Sequence, residues 1–360
     1  MLNYFLGLFS HDMGIDLGTA NTLVLVKGKG VVVREPSVVA QHRKTKQVLA
    51  VGSEAKKMLG KTPATISAFR PLKDGVIADF DATTAMLTYY IKKIHESPQS
   101  WMPKIPRPQV VVGIPSGVTE VERRAVQEVC LSAGARKAYL IEEAMAAAIA
   151  AGLPIEEPSG GIIVDIGGGT TEMAVISLGG IVLNRSLRVA GDEMNEAIIN
   201  FLRLKYGFLL GERSAEEAKI QIGSAASVRG KIDKGGDGEK REKVAIVRGR
   251  DLETGLPKSL KITEGEIREA LAPVVNVIIE ALSEMIEQTP PEILGDILEK
   301  GIILCGGGSQ LRGIDKLIAE TIKIPVWIAD DPMTCVVRGC GKVLEDKSLL
   351  EKVRVTGGLR

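Results

Sequence analysis

Residues 13–22 read MGIDLGTANT and residues 162–172 read IIVDIGGGTTE. Each stretch is an apolar run, an aspartate, a glycine–threonine turn and a second apolar run. One copy alone is equally well a tight hairpin that uses Asp and Gly for turn geometry. Two copies about half a chain apart suggest two half-sites facing one ligand. Glycine and threonine let the backbone approach a phosphate and aim N–H groups at it, and the threonine hydroxyls add donors. Asp16 and Asp165 precede the two turns. Two carboxylates beside phosphates repel them unless a cation intervenes, and Mg2+, held partly through water, is the natural one. A third glycine turn, Gly306–Gly308, sits between the strand-like GIILC and an expected helix. Glycines there let a flat adenine pass without a side-chain clash.

Other phosphate-binding patterns are missing. No G-x-x-x-x-G-K-[ST] occurs, and each turn is followed by a strand-like run (TLVLV, EMAVISL) where a dinucleotide fingerprint needs a helix.

Composition narrows the class. At roughly 100–200 residues per domain, 360 residues make two domains or one bilobed one. A net charge of +1 gives no basic footprint for nucleic acid. Cys130, Cys305, Cys335 and Cys340 form no C-x-x-C pair, and three histidines are few, which argues against zinc and for buried reduced thiols. No apolar run approaches the roughly 18–20 residues that span a bilayer. The opening MLNYFLGLFSHD lacks the basic region and cleavage site of a signal peptide, so a cytoplasmic protein is expected.

Along the chain, strands and helices alternate twice. Residues 13–39 read as strands and 82–95 as a helix; SPQSWMPKIPRP is a proline-rich loop and QVVVGIP a buried strand. Thr119 and Glu122 have capping-box spacing and predict a helix ending at Gly134. AYLIEE is a short strand feeding the alanine-rich helix AMAAAIAAG. After the second turn, helices are expected at about 192–206 and 215–222, the latter opened by Ser214 and Glu217, with a charged loop near 228–243. A long helix should start near Thr263 and stop before Pro290, and another should take Asp331 as N-cap and Pro332 as its first residue. The expected fold is α/β with two duplicated lobes, each with a small insertion, at 40–72 and 194–257.

D-x-G-T-x-N-T, D-I-G-G-G-T-T-E and G-G-G-S resemble the two phosphate motifs and the adenosine motif of the actin, Hsp70 and sugar-kinase superfamily, as do the connecting helices at 142–151 and 331–343. More narrowly, IDLGTANT, EPSVVA, RPLKDGVIADF, VERRA, GDEMNEAI and DPMTCVVRGCGKVLE resemble the MreB family of bacterial actins over nearly the whole chain. The resemblance implies an actin-like ATPase fold in four parts: 1–39, 73–157 and 329–360 as subdomain IA, 40–72 as IB, 158–193 and 258–328 as IIA, and 194–257 as IIB. It implies that Asp16, Gly18, Thr19, Ala20 and Asn21, with Gly167, Gly168, Gly169, Thr170 and Thr171, hold the phosphates of ATP, with Asp16 and Asp165 toward Mg2+. Glu216, Glu217 and Lys219 would lie near ribose and adenine, and Gly306, Gly307, Gly308 and Ser309 would close over the base. Glu143 matches the carboxylate that positions or activates the attacking water, and Thr170 a threonine that helps hold it, with Asp165 completing the catalytic set. Where the family usually has Glu-Pro, this chain has Glu143-Ala144. The resemblance further implies slow ATP hydrolysis coupled to head-to-tail self-assembly and partners in the cell-wall elongation machinery.

Two other activities share this chemistry. A small-molecule kinase would use the same phosphate machinery with a substrate hydroxyl in place of water. An Hsp70-type chaperone needs a substrate-binding domain after the ATPase, and only about fifteen residues follow the last expected helix. At the N-terminus, Leu2, Phe5, Leu6 and Phe9 are spaced to share one face of a short helix, and Trp101-Met102 form an apolar pair in the proline-rich loop. Both suit a lipid interface at the inner face of the cell membrane. The alternative is packing on the protein's own surface.

Overall fold

The computed structural model describes residues 10–96, 107–226 and 242–355. Leu2, Phe5, Leu6, Phe9, Trp101, Met102 and most of the 228–243 loop lie outside the described residues.

The first turn closes a hairpin. β1 (Met13–Leu17) and β2 (Asn21–Val26) run antiparallel, pairing Asp16 with Leu23 and Leu17 with Thr22, and β3 (Gly30–Pro36) continues the meander. A separate three-stranded unit follows, built of β4 (Val39–His42), β5 (Val48–Val51) and β6 (Ile66–Phe69), with α1 (Ser53–Met58) between β5 and β6. A short ribbon, β7 (Leu72–Lys73) with β8 (Val76–Ile77), leads into α2 (Phe80–His95). β9 (Gln109–Ile114), α3 (Glu120–Ser132), β10 (Lys137–Glu142) and α4 (Glu143–Ala151) complete the first half. The sheet order is β10-β9-β1-β2-β3.

The second half repeats this order. β11 (Gly161–Ile166), β12 (Thr171–Ser177) and β13 (Gly180–Leu187) form the meander, and the second turn closes its first hairpin. After α5 (Gly191–Tyr206) come β14 (Phe208–Leu209), α6 (Glu212–Ile222), β15 (Val244–Asp251) and β16 (Pro257–Thr263), whose strands make another three-stranded unit. The half ends with α7 (Glu264–Glu287), α8 (Pro291–Lys300), β17 (Ile302–Cys305), α9 (Ile314–Ile322), β18 (Val326–Ile328), α10 (Cys335–Glu345) and α11 (Lys347–Val353). This sheet reads β18-β17-β11-β12-β13, with each pairing parallel or antiparallel as in the first. By this correspondence α4 and α10 are equivalent helices.

Local signals set several boundaries. Thr119 and Glu122 form a complete capping box at α3, and Thr263 and Glu266 another at α7. Two expected starts are corrected. α6 begins at Glu212 after Gly211, so Ser214 is already inside it, and Glu217 pairs with Arg213 at 2.9 Å instead of capping. Asp331 makes no side-chain cap; it sits at φ 47° before a 3-10 turn, Pro332–Thr334, and its carboxylate takes Arg34 at 2.9 Å. The α-helix starts at Cys335.

Each lobe has its own core, and a third core lies between them. It joins Val111 and Ile141 of the first sheet, Ile163 and Ala174 of the second, Ala144–Ile149 of α4, and Cys335, Val336, Cys340 and Val343 of α10. Strand β11, covered on both faces, is buried throughout, as in sheets flanked by helices. All four cysteines are free and buried. No described helix is long and apolar enough to cross a membrane.

The crossing of α4 and α10 depends on small residues. A Cβ on Gly339 would lie 1.9 Å from the Ala146 carbonyl oxygen. Gly339→Ala is expected to destabilise the chain by about 1–3 kcal/mol through overpacking. Gly295→Ala, where nothing lies within 4 Å, should be neutral or stabilising. Urea denaturation of both variants checks this; equal midpoints would show that the crossing tolerates a methyl group.

Candidate functional site

The two Asp–Gly–Thr hairpins meet tip to tip. A Cβ on Gly168 would lie 2.4 Å from that of Ala20, and one on Gly169 would lie 2.8 Å from the Thr19 hydroxyl. Only glycines allow this approach, so the second turn uses three in a row. The Thr19 hydroxyl also accepts the Gly75 N–H at 2.9 Å, and Gly75 packs against the Thr170 side chain. Beneath the tips opens a cleft of about 540 Å3 between the lobes.

Its lining joins segments far apart in sequence. Asp16, Gly18, Thr19, Ala20 and Asn21 come from the first hairpin, and Asp165, Gly167, Gly168, Gly169 and Thr170 from the second. Glu143 enters from the start of α4, Glu216 and Lys219 from α6, and Gly306, Gly307 and Gly308 from the turn after β17. Gly306 has φ +80°, and a Cβ there would lie 2.2 Å from the Asp165 carboxylate. This turn therefore closes directly on the second aspartate.

Three residues expected at the site lie off the lining. Thr171 is fully buried and donates its hydroxyl to the Val189 carbonyl at 2.7 Å. Ser309 is fully buried and bonds the Gly306 carbonyl at 2.8 Å, bracing the turn from behind. Glu217 is exposed on the outer face of α6.

Other segments complete the lining and its rim. The start of α5 abuts the second turn: Gly191 N–H reaches the Gly167 carbonyl at 3.2 Å, and Asp192 N–H that of Gly168 at 2.7 Å. Lys219 Nζ donates to the Gly191 carbonyl at 2.6 Å, and burial lowers its pKa. Lys56 of α1 reaches across the mouth to Glu216 at 2.7 Å. Just outside, Arg70 grips Asp192 at 2.8 and 2.7 Å and Glu212 at 2.9 Å. The Asn195 side chain lines the cleft, and its buried Oδ1 has no hydrogen-bond partner.

Charge is divided across the cleft. Lys56 and Lys219 lie beside Glu216, and Arg312, also on the lining, pairs with Glu264 at 3.6 Å. Carboxylates gather on the floor. Burial, then Asp165, pushes Asp16 up to about 8. Burial, then Cys335, pushes Asp165 up to about 7 against a hydrogen bond with Cys305. Glu143 is raised well above the usual range by burial, then by Asp16, Glu172 and Asp165. Glu172, the cross-strand partner of Asp165, is raised to about 7 by burial, against hydrogen bonds from Ser186 and Ser116. Among the described residues, no cation is a cause of the shift at Asp16 or Asp165. Among the described residues, no three His, Cys, Asp or Glu side chains gather into a direct metal cage.

Comparison with known proteins agrees with this geometry. A family profile described as MreB/Mbl protein matches residues 10–352. The chain is 52% identical over 349 residues to the cell shape-determining protein MreB of Escherichia coli (strain K12), covering 96% of each. The crystal structure of MreB5 of Spiroplasma citri bound to ADP aligns with a TM-score of 0.85 at 38% identity, over 95% of this chain and 98% of that one. MreB5 of Spiroplasma citri bound to AMPPNP gives 0.83 at 39% identity, over 96% and 98%.

The raised carboxylates set a pH dependence. The folded chain holds protons on Asp16, Asp165 and Glu172 that the unfolded chain has already released, so stability falls as pH rises from the ordinary carboxylate range and levels off at about 7 to 8. Cys335, lowered to about 7 by its hydrogen bond with Cys305, acts in the opposite sense, but only above about pH 7. In the metal- and nucleotide-free protein, the urea midpoint should drop between about pH 5 and 7. Asp16→Asn should make that drop shallower. Parallel curves for the two proteins would show that Asp16 does not titrate there.

Proposed function

The chain belongs to the MreB/Mbl family, and from that membership we propose that it is an ATP-binding, ATP-hydrolysing bacterial actin that forms membrane-associated filaments and maintains rod cell shape by organising cell-wall synthesis. The observation that carries the ATPase reading is the meeting of the two Asp–Gly–Thr hairpin tips above a cleft floored by Asp16, Asp165 and Glu143. The nucleotides in the Spiroplasma citri MreB5 structures support ATP as the ligand. Family membership favours this reading over a small-molecule kinase of the same superfamily.

In the proposed mechanism, the phosphates lie between the two tips, held by backbone N–H groups of the Thr19–Asn21 and Gly167–Thr170 turns and by the threonine hydroxyls. The floor suits Mg2+: Asp16 and Asp165 repel each other with no side-chain cation between them. The lack of a three-residue cage among the described residues suits an ion that keeps several waters. When bound, the ion neutralises charge developing on the transferred phosphoryl group. Glu143 orients the attacking water, and as a carboxylate takes its proton. Thr170 helps hold that water. Glu216 and Lys219 lie toward ribose and adenine, and the Gly306–Gly308 turn closes over the base. The four-part division at residues 40–72 and 194–257 is proposed for the whole chain, with the two small sheets as its insertions.

Assembly and location follow from the family and the sequence. A head-to-tail contact that does not close gives an open filament of identical subunits. The protein is placed in the cytoplasm at the inner face of the membrane, with lipid and cell-wall elongation proteins as partners and no nucleic acid. Leu2, Phe5, Leu6, Phe9, Trp101 and Met102 are the proposed lipid contacts. Burying such side chains gains about 1.5–3 kcal/mol each, weak for one subunit but multiplied along a filament.

Glu143→Ala should slow single-turnover ATP hydrolysis by roughly 10²–10⁴-fold and leave ATP affinity within a few-fold. Unchanged hydrolysis would move the water-orienting role elsewhere. Electron microscopy of the wild type with ATP on a lipid surface should show filaments, whereas monomers or closed dimers at every concentration would favour the kinase. Deleting residues 2–9 together with Trp101→Ser and Met102→Ser should abolish liposome co-sedimentation and spare ATP binding. Full liposome binding by that variant would place the lipid contact elsewhere.

A further inference from the structure

We propose that Glu172 is a positioning residue, through which the fit between the two lobes is transmitted to Glu143. The inference rests on the role proposed for Glu143 in ATP hydrolysis.

Glu172 lies on β12 of the second lobe and is 1% exposed. Its Oε1 accepts the Ser186 hydroxyl of β13 at 2.5 Å. Its Oε2 accepts the Ser116 backbone N–H at 3.0 Å, and Ser116 follows β9 in the first lobe. The Ser116 hydroxyl in turn donates to Glu142 Oε2 at 2.8 Å. One hydrogen-bonded chain, Ser186–Glu172–Ser116–Glu142, therefore passes from the second lobe into the first. It ends on the residue immediately before Glu143.

Glu142 is the N-cap residue of α4, yet its side chain makes no capping bond. It is committed to Ser116 instead, so Ser116 helps fix how the chain enters α4 and thus where Glu143 points. The lobes touch at this place: a Cβ on Gly117 would lie 3.2 Å from that of Ser186. On the other side, a Cβ on Gly113 of β9 would lie 3.2 Å from Glu143 Cγ. Ser116 is thus held between Glu172 and the segment carrying Glu143, and a shift of the second sheet relative to the first changes its position.

The test uses the full-length chain, with single-turnover ATP hydrolysis and equilibrium ATP affinity measured on each variant. Glu172→Ala should slow hydrolysis roughly 10- to 100-fold, the cost of misplacing a reacting group by a fraction of an ångström to an ångström. ATP affinity should stay within about threefold of wild type, which separates positioning from loss of fold. Ser116→Ala should also slow hydrolysis, and the double variant should be no slower than Glu172→Ala alone, because the two act through one chain. Glu172→Gln, which keeps the length and one acceptor oxygen, should recover part of the rate. Wild-type hydrolysis in Glu172→Ala while Glu143→Ala is inactive would overturn the inference and leave the ATPase reading standing. So would equal losses of rate and affinity in Glu172→Ala, or rate losses that multiply in the double variant. Wild-type hydrolysis in Glu143→Ala would instead remove the role of Glu143 on which the inference rests.

Discussion

The packing of α4 against α10 is the contact on which the rest depends. Each helix closes one lobe, and each also packs against the other lobe's helix, so the two five-stranded sheets share one small-residue core. Alanines along α4 and Gly339 on α10 let the backbones approach closely enough for both sheets to face the same cleft. Side chains any larger would push the lobes apart and separate the hairpin tips above. Both helices also begin at the cleft. α4 presents Glu143 there, and the turn before α10 presents Pro332 and Met333. One packing solution thus sets the spacing of the lobes and the position of the chemical groups.

The electrostatics follow from that geometry. Two strands, each with an aspartate one residue from its end, are brought face to face in a buried floor, and Glu143 and Glu172 add to the same region. Burial raises all four carboxyl groups, and neighbouring carboxylates add to it at Asp16, Glu143 and Glu172, a costly arrangement for stability alone. Such costs concentrate at functional sites, where strain is offset by the rest of the fold. The cleft mouth is arranged differently. There Lys56–Glu216 and Arg70–Asp192 join the lobes by opposite charges that water reaches in part. Such part-exposed pairs are worth little and can open at modest cost.

Much of this was legible in the chain. The duplicated Asp–Gly–Thr turns, the glycine run after β17 and the alternation of strands with helices marked the two-lobed α/β fold, because tight turns and capping boxes are set by near neighbours. The helices opened by Thr119 and Thr263 begin where their caps place them for the same reason. The starts of α6 and α10 did not follow local spacing, since Glu217 and Asp331 are drawn to Arg213 and Arg34.

The sequence by itself determined which residue types form the two hairpin tips, because a tight turn of this kind needs glycine and threonine beside a carboxylate in a short run. Only the tertiary structure decided which residues act together. Glu172 stands inside a motif already singled out, but its partner Ser116 is 56 residues away. Lys56 meets Glu216 across 160 residues, and Arg70 meets Asp192 across 122. Thr171 and Ser309 have the right chemistry and sequence position, yet the pleat and the turn aim them into the protein. Direction and distance between lobes arise from the packing of α4 on α10, and no local run of residues encodes them.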